Sequence, residues 1–298
     1  MQTFQSIIGI LPAIFLSFLA TTLVEIFGGG NKGWAITAFV IALISTLSVL
    51  WCVAVVKELP EEELEAGTAT VGQKNSFIES AKLLLGTKYF WVSLGCNLAI
   101  YICTGIQGSA GVYFCQYILN DASAFGWITL AMYAPLIVLI GFVQPLVNKF
   151  GARKANVFGA VISTIVGAAA FINTHSVFVV ILSFFLYTVG MLPSYVTLQP
   201  LVAEIAEYTK RRTGKDITAM FYSCTSVGVK VGGGLGTAIA GVILSATGYD
   251  GLAEVQSAGA LQGITLMFLL TPIISAIILV VLYNKLDVEE VNKREIAE

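Results

Sequence analysis

Charge is what this chain has least of. Only 11% of its 298 residues are Asp, Glu, Lys or Arg, whereas a soluble domain carries roughly a quarter. There is a single histidine, His175, in a short loop. The five cysteines, Cys52, Cys96, Cys103, Cys115 and Cys224, all fall in apolar stretches and form no CxxC pair. That removes a clustered-thiol metal or redox site and leaves them as small buried hydrophobes. No basic run interleaves with aromatics, so nucleic acid is not an expected partner. No charged segment precedes the first apolar run, where Glu25 is the first charge, so a cleaved signal peptide is not expected.

What is present is hydrophobicity. Apolar residues make up 57% of the chain and the mean hydropathy is +0.86. The runs are too long for strands, and a backbone inside lipid must satisfy its own hydrogen bonds. The expected fold is therefore all-α, a polytopic membrane helix bundle with the lipid bilayer as its surroundings. Eight stretches reach the length of a span: Gln5–Phe27, Trp34–Val56, Tyr89–Leu119, Phe125–Val147, Asn156–Ile172, Ser176–Leu198, Thr218–Ser245 and Ala258–Tyr283.

The loops between them alternate in basic content. One side holds Lys57, Lys74, Lys82, Lys88, Lys149, Arg153, Lys154, Lys210, Arg211, Arg212, Lys215, Lys285, Lys293 and Arg294, and the other holds only Lys32. This bias predicts both termini in the cytoplasm of a multi-pass protein of the cell inner (plasma) membrane. The long loop, residues 57–88, starts with Glu58, Glu61, Glu62, Glu63 and Glu65. It ends in Ser76–Leu85, where Phe77, Ala81, Leu84 and Leu85 are spaced like an interfacial amphipathic helix. It divides the chain into two spans over 1–56, a six-helix bundle over 89–284 and a cytoplasmic tail over 285–298. Six-helix bundles joined by a long cytoplasmic loop are a recurrent transporter plan.

Lys230 is the one cation inside an expected span, twelve positions after Thr218 and fifteen before Ser245. A charge near the bilayer midplane costs from about 3 to over 10 kcal/mol, so it must face a partner, a cavity or a ligand. Ser223, Ser226, Gly233, Gly234 and Thr237 recur around it at three- and four-residue steps, a polar stripe on one helix. Gly232 and Gly236 allow a close helix crossing. An enzyme would need several titratable groups converging in the membrane, and Lys230 is alone there. Among other polar residues in spans, Asn97, Tyr101, Gln107, Tyr113, Tyr117, Gln144 and Gln199 suit interhelical hydrogen bonds or sugar hydroxyls equally. Tyr195 offers an aromatic face to a sugar, with Pro193 and Pro200, points where a helix kinks, on either side.

The segment Leu201–Asp216 places Glu204 and Glu207 one turn apart, ahead of Lys210, Arg211, Arg212 and Lys215. Two readings stand side by side: a solvated helix end with local ion pairs, and a cytoplasmic gate of Glu204, Glu207 and Arg211. A second loop, Asn148–Lys154, carries Gly151, which permits a tight turn.

The parts Ala203-Glu204, Glu207-Tyr208, Thr213-Gly214-Lys215, Tyr222-Ser223, Lys230 and Thr247-Gly248-Tyr249 together resemble the signature of the glycoside–pentoside–hexuronide:cation symporters (melibiose-permease-like), within the major facilitator superfamily. The loop around Gly151-Ala152-Arg153-Lys154 resembles the superfamily's short basic loop, with Asn148 where an acid is common. The resemblance implies a sugar or glycoside substrate, moved with Na⁺ or H⁺ by alternating access and with no further cofactor. It implies that Lys230, Tyr195, Thr225, Ser226 and Val229 line the substrate site, and that Glu204 and Glu207 match residues of the cytoplasmic closure. Asp216 departs from the pattern, because a basic residue is usual there. The spans correspond to the family's helices 5–12. The first four helices, with the acids that hold the coupling cation, are not matched, nor is the arginine expected early in the fifth. The sequence therefore reads as a C-terminal portion of such a symporter. Its rivals are a fragment or half-subunit needing an N-terminal four-helix partner, and a packing subunit that would tolerate Leu at position 230.

Overall fold

The computed structural model of the chain describes residues 16, 19–20, 22–55, 77–253 and 255–297. The helices are α1 (Gly30–Val55), α2 (Phe77–Gly86), α3 (Lys88–Tyr117), α4 (Ala124–Val138), α5 (Ile140–Phe150), α6 (Ala152–Ala169), α7 (Val177–Thr213), α8 (Thr218–Ala246), α9 (Ala258–Asn284) and α10 (Val288–Ala297). A single 3₁₀ turn, Ala170–Ile172, follows α6, and the described residues contain no strand. The span expected over Gln5–Phe27 and the acidic run from Glu58 to Glu65 lie mostly or wholly outside the described residues.

Six of the described helices are long and apolar enough to cross a membrane. The pass expected over Phe125–Val147 is instead two helices, α4 and α5, bent by 62°. The break falls at Leu139, between Pro135 near the end of α4 and Pro145 inside α5; each proline withholds one helical hydrogen bond on its own side. Counted as one bent pass, the pair brings the described passes to seven.

From α3 onward the chain forms one helix bundle, in which α3 and α8 run parallel and α6 and α7 antiparallel. The α3–α8 and α6–α7 pairs and the two faces of α9 against α3 and α6 are its principal seams. The core has two ends. Towards the basic loops, Phe90, Ile100, Met191, Leu201, Ile205, Phe221 and Tyr283 pack together. Towards the other end lie Phe114, Ile128, Phe184, Ile264 and Phe268, with Phe114 and Phe268 stacked at 4.8 Å between ring centroids. With lipid as apolar as the core, such helices are held by close packing. Small residues provide it: a Cβ on Gly159 would lie 2.2 Å from the Gly190 carbonyl oxygen.

α1 is different. It is hydrophobic on every side and exposed on nearly every side, with Phe39, Ile44, Leu50, Trp51 and Val53 all uncovered. Such a helix needs lipid or other helices around it.

Two elements expected to be peripheral are docked. The amphipathic helix is present as α2; Leu84 inserts into the bundle core and Glu79 pairs with Lys215, while Ile78 and Leu85 stay exposed. The tail expected over 285–298 is largely helical. Its residues 288–297 form α10, and Val288 is fully buried. The Asn292 amide donates to the Glu204 carbonyl (3.1 Å). The Glu289 carboxylate accepts the Ala152 N–H at the start of α6 (2.7 Å), where an exposed N–H end favours an anion. That carboxylate serves the loop in which Asn148 replaces the usual acid. Gly151, at φ +82°, makes the turn that a side chain would strain.

Candidate functional site

Around α8 the residues sort into three faces, taking about 100° per residue. Phe221, Thr225, Gly228, Gly232, Gly236 and Ala240 are buried. The glycines of this face lie against Leu94, Tyr101, Ile102 and Gly105 of α3. Val227, Val231, Leu235 and Val242 form a second face that is exposed and wholly aliphatic. Ser223, Ser226, Lys230, Gly234 and Thr237 form the third, also exposed. The second face suits lipid. The third does not: three hydroxyls, open glycine backbone and an ammonium belong against water or a polar ligand. The Ser223 and Thr237 hydroxyls bond carbonyls one turn back on their own helix. Lys230 engages no partner among the described residues.

The residues expected at the substrate site are not all on this face. Ser226 and Lys230 share it, and Val229 is half-buried at its edge. Thr225 lies on the packed face, its hydroxyl donating to the Phe221 carbonyl (2.8 Å). One position along a helix turns a side chain by about 100°, enough to move it from one face to the next.

Tyr195 sits on α7, which runs unbroken through both Pro193 and Pro200. The residue is 42% exposed and its inner side closes a cavity of about 40 Å³ between α3, α4, α7 and α9. Gln107, Thr104, Tyr133, Tyr187 and Ser275 contribute the polar groups of that cavity.

The expected gate residues lie at the basic end of α7. Glu207 and Arg211 pair with each other one turn apart (3.0 Å). Glu204 is half-buried and lines a cavity of about 280 Å³ with Gln144, Asn148, Thr197 and Glu289. Asp216, the departure from the family pattern, accepts from Lys210 (2.9 Å) and from the Thr218 N–H (3.1 Å). These bonds, Lys210 first, hold its carboxyl down at about 2. A carboxyl held below its unfolded value stabilises the fold above about pH 4, and that contribution fades as pH falls towards 2. Asp216→Asn is expected to lower the melting temperature by only about 1–3 °C at pH 7, since the pair is exposed. Thermal unfolding at pH 7 and at the lowest pH where the protein stays folded checks this; the deficit should shrink at the lower pH.

The family model for MFS/sugar transport proteins matches residues 1–290. The chain belongs to this family. It is thus a transporter-family protein, not an enzyme, and a multi-pass protein of the cell inner (plasma) membrane. Among its relatives, an uncharacterized symporter of Bacillus subtilis (YnaJ) is 24% identical over 96% of this chain and 61% of its own length. The isoprimeverose transporter of Lactiplantibacillus pentosus is 27% identical over 96% of this chain and 60% of its own length. A putative glycoside/cation symporter of Escherichia coli (YagG) is 22% identical over 92% of this chain and 59% of its own length. The chain spans about three-fifths of the length of these curated relatives.

Sequence reasoning missed the Asn156–Thr197 pair (2.8 Å) that joins α6 to α7 inside the bundle, and the docking of α10. Asn156 could have been marked as an amide in an apolar span. Nothing in the sequence points to Glu289, which lies 137 positions from its partner.

Proposed function

We propose that this chain carries the C-terminal, substrate-facing part of a sugar:cation symporter that works by alternating access. One observation supports the reading above the others: α8 has two exposed faces, and the polar one carries Lys230. A packing subunit has no use for a cation there. In the proposed mechanism Lys230 donates to sugar hydroxyls or to a sugar acid's carboxylate, and Tyr195 stacks on the ring. Ser226 and Val229 line the same cavity, with Thr225 behind them as packing. Glu204, Glu207 and Arg211 change partners as the cytoplasmic end opens and closes. Both termini are proposed to be cytoplasmic, on the side of the basic loops.

The exposed α1, and Lys230 without a partner among the described residues, favour a further part of the proposal. The facing wall of the cavity, and the Na⁺ or H⁺ site that drives uptake, come from elements outside the described residues, whether of this chain or of a four-span partner. The relatives' names, which include an isoprimeverose transporter and putative sulfoquinovose importers, favour glycosides as the substrate class.

The test is uptake of radiolabelled glycosides into vesicles that contain the protein, alone and with candidate four-span partners, under an inward Na⁺ or H⁺ gradient. Accumulation above protein-free vesicles that stops when the gradient is collapsed is expected in at least one combination. Uptake indifferent to every cation gradient would remove the symport mechanism.

A further inference from the structure

Among the residues lining the cavity behind Tyr195, Gln107 carries a fully buried polar atom with no hydrogen-bond partner. Gln107 is 6% exposed. Its Oε1 accepts from the Cys103 thiol (3.6 Å), but its Nε2 is buried without a hydrogen-bond partner. An unmade bond on a buried amide is costly. Of the wall's hydroxyls, Thr104 donates to the Ile100 carbonyl (2.9 Å), Tyr187 to the Pro272 carbonyl (3.3 Å) and Ser275 to the Ala99 carbonyl (3.0 Å), and those of Tyr133, Thr188 and Tyr195 also line the space. Gln107 is thus a donor aimed into a small aromatic space.

The size of that space limits what it takes. About 40 Å³ holds one or two waters or a single small polar group, and no pyranose ring. No cation lines it, so a carboxylate would be left unpaired there. Tyr195 is both its inner wall and an exposed aromatic surface. A sugar stacked on that surface can send one exocyclic arm inward.

We infer that this cavity is a subsite for the exocyclic hydroxymethyl group of a hexopyranoside, with the Gln107 amide donating to its 6-hydroxyl. The inference rests on the sugar-transport reading and narrows it. The protein then favours hexopyranosides with a free 6-hydroxyl over their 6-deoxy analogues and over pentopyranosides, because losing the hydroxyl leaves Gln107 unpaired again.

The experiment is calorimetric binding to the purified full chain in nanodiscs, alone and with candidate four-span partners. The probes are methyl glucopyranoside and methyl galactopyranoside, the 6-deoxy analogue of each, and methyl xylopyranoside. The wild-type protein is expected to bind one of the hexosides about tenfold more tightly than its 6-deoxy analogue. In Gln107→Leu that ratio should fall to within about twofold, with 6-deoxy affinity little changed. Equal wild-type affinity for a hexoside and its 6-deoxy analogue overturns the subsite while leaving sugar binding intact. So does an unchanged ratio in Gln107→Leu, which would mean the cavity holds only water. If Gln107→Leu does not fold, the wild-type ratio alone decides. Binding of no glycoside at all, by the chain alone or with any candidate partner, overturns the sugar-transport reading, and the subsite with it.

Discussion

Lys230→Ala will reduce glycoside affinity by about 100-fold or more while leaving the melting temperature unchanged or slightly higher. Both halves follow from the geometry. Lys230 has no partner among the described residues, so removing it breaks no internal contact. It also takes away an ammonium that is costly in an apolar setting. Hydrogen bonds from a charged donor contribute about 1.5–3 kcal/mol each, so losing two to a substrate amounts to at least about 100-fold. Lys230→Arg, which keeps the charge but changes the donor geometry, should recover part of the affinity. Glycoside binding and thermal unfolding measured on the same preparations check both halves. A Lys230→Leu protein that binds and transports like wild type would point instead to a packing subunit.

The second large effect is structural. Gly236→Ala should destabilise the protein by about 2–3 kcal/mol, and Gly234→Ala should not. In α8 the Cβ on Gly236 would meet the Ile102 carbonyl oxygen at 2.3 Å, whereas a Cβ on Gly234 would meet nothing within 4 Å. A backbone oxygen cannot rotate aside as a side chain can, so α3 and α8 must separate along the seam. At Gly234 the substitution only adds helix propensity, worth up to about 1 kcal/mol in favour of the fold. Thermal unfolding of the two variants in one detergent compares them. Equal melting temperatures would mean that α3 and α8 do not pack through these glycines.

These two residues also mark how much of the protein is legible in its sequence. Hydrophobic run length places the helices, because a span must be about 20 apolar residues whatever it packs against. The three- and four-residue rhythm of Ser223, Ser226, Lys230 and Thr237 shows one polar face. Gly232 and Gly236 show the crossing opposite it. Periodicity fails where neighbours in sequence part company in space: Thr225 and Ser226 sit side by side in the chain and on different faces of α8. It fails again at the bend between α4 and α5. Pro135, Pro145 and Gly141 all lie in one apolar run, and composition does not say where it breaks. Long-range partners are the least visible. Glu289 at Ala152, Asn292 at Glu204 and Leu84 in the core depend on how the bundle closes, and a charged tail or loop gives no local sign of it. The cavity at Gln107 belongs to the same class, since four helices build it.

The central claim is that the Lys230 face of α8 meets water and the aliphatic face meets lipid. Cysteine labelling of the intact protein in its membrane tests this most directly. In a background with Cys52 and Cys224 replaced by Ser, a membrane-impermeant or water-soluble maleimide should label Ser226→Cys and Thr237→Cys readily. Val227→Cys and Leu235→Cys, one position or two from them but on the other exposed face, should remain unlabelled. A bound glycoside should slow labelling at Ser226→Cys. Equal labelling of all four positions, or labelling confined to the aliphatic face, would contradict the account.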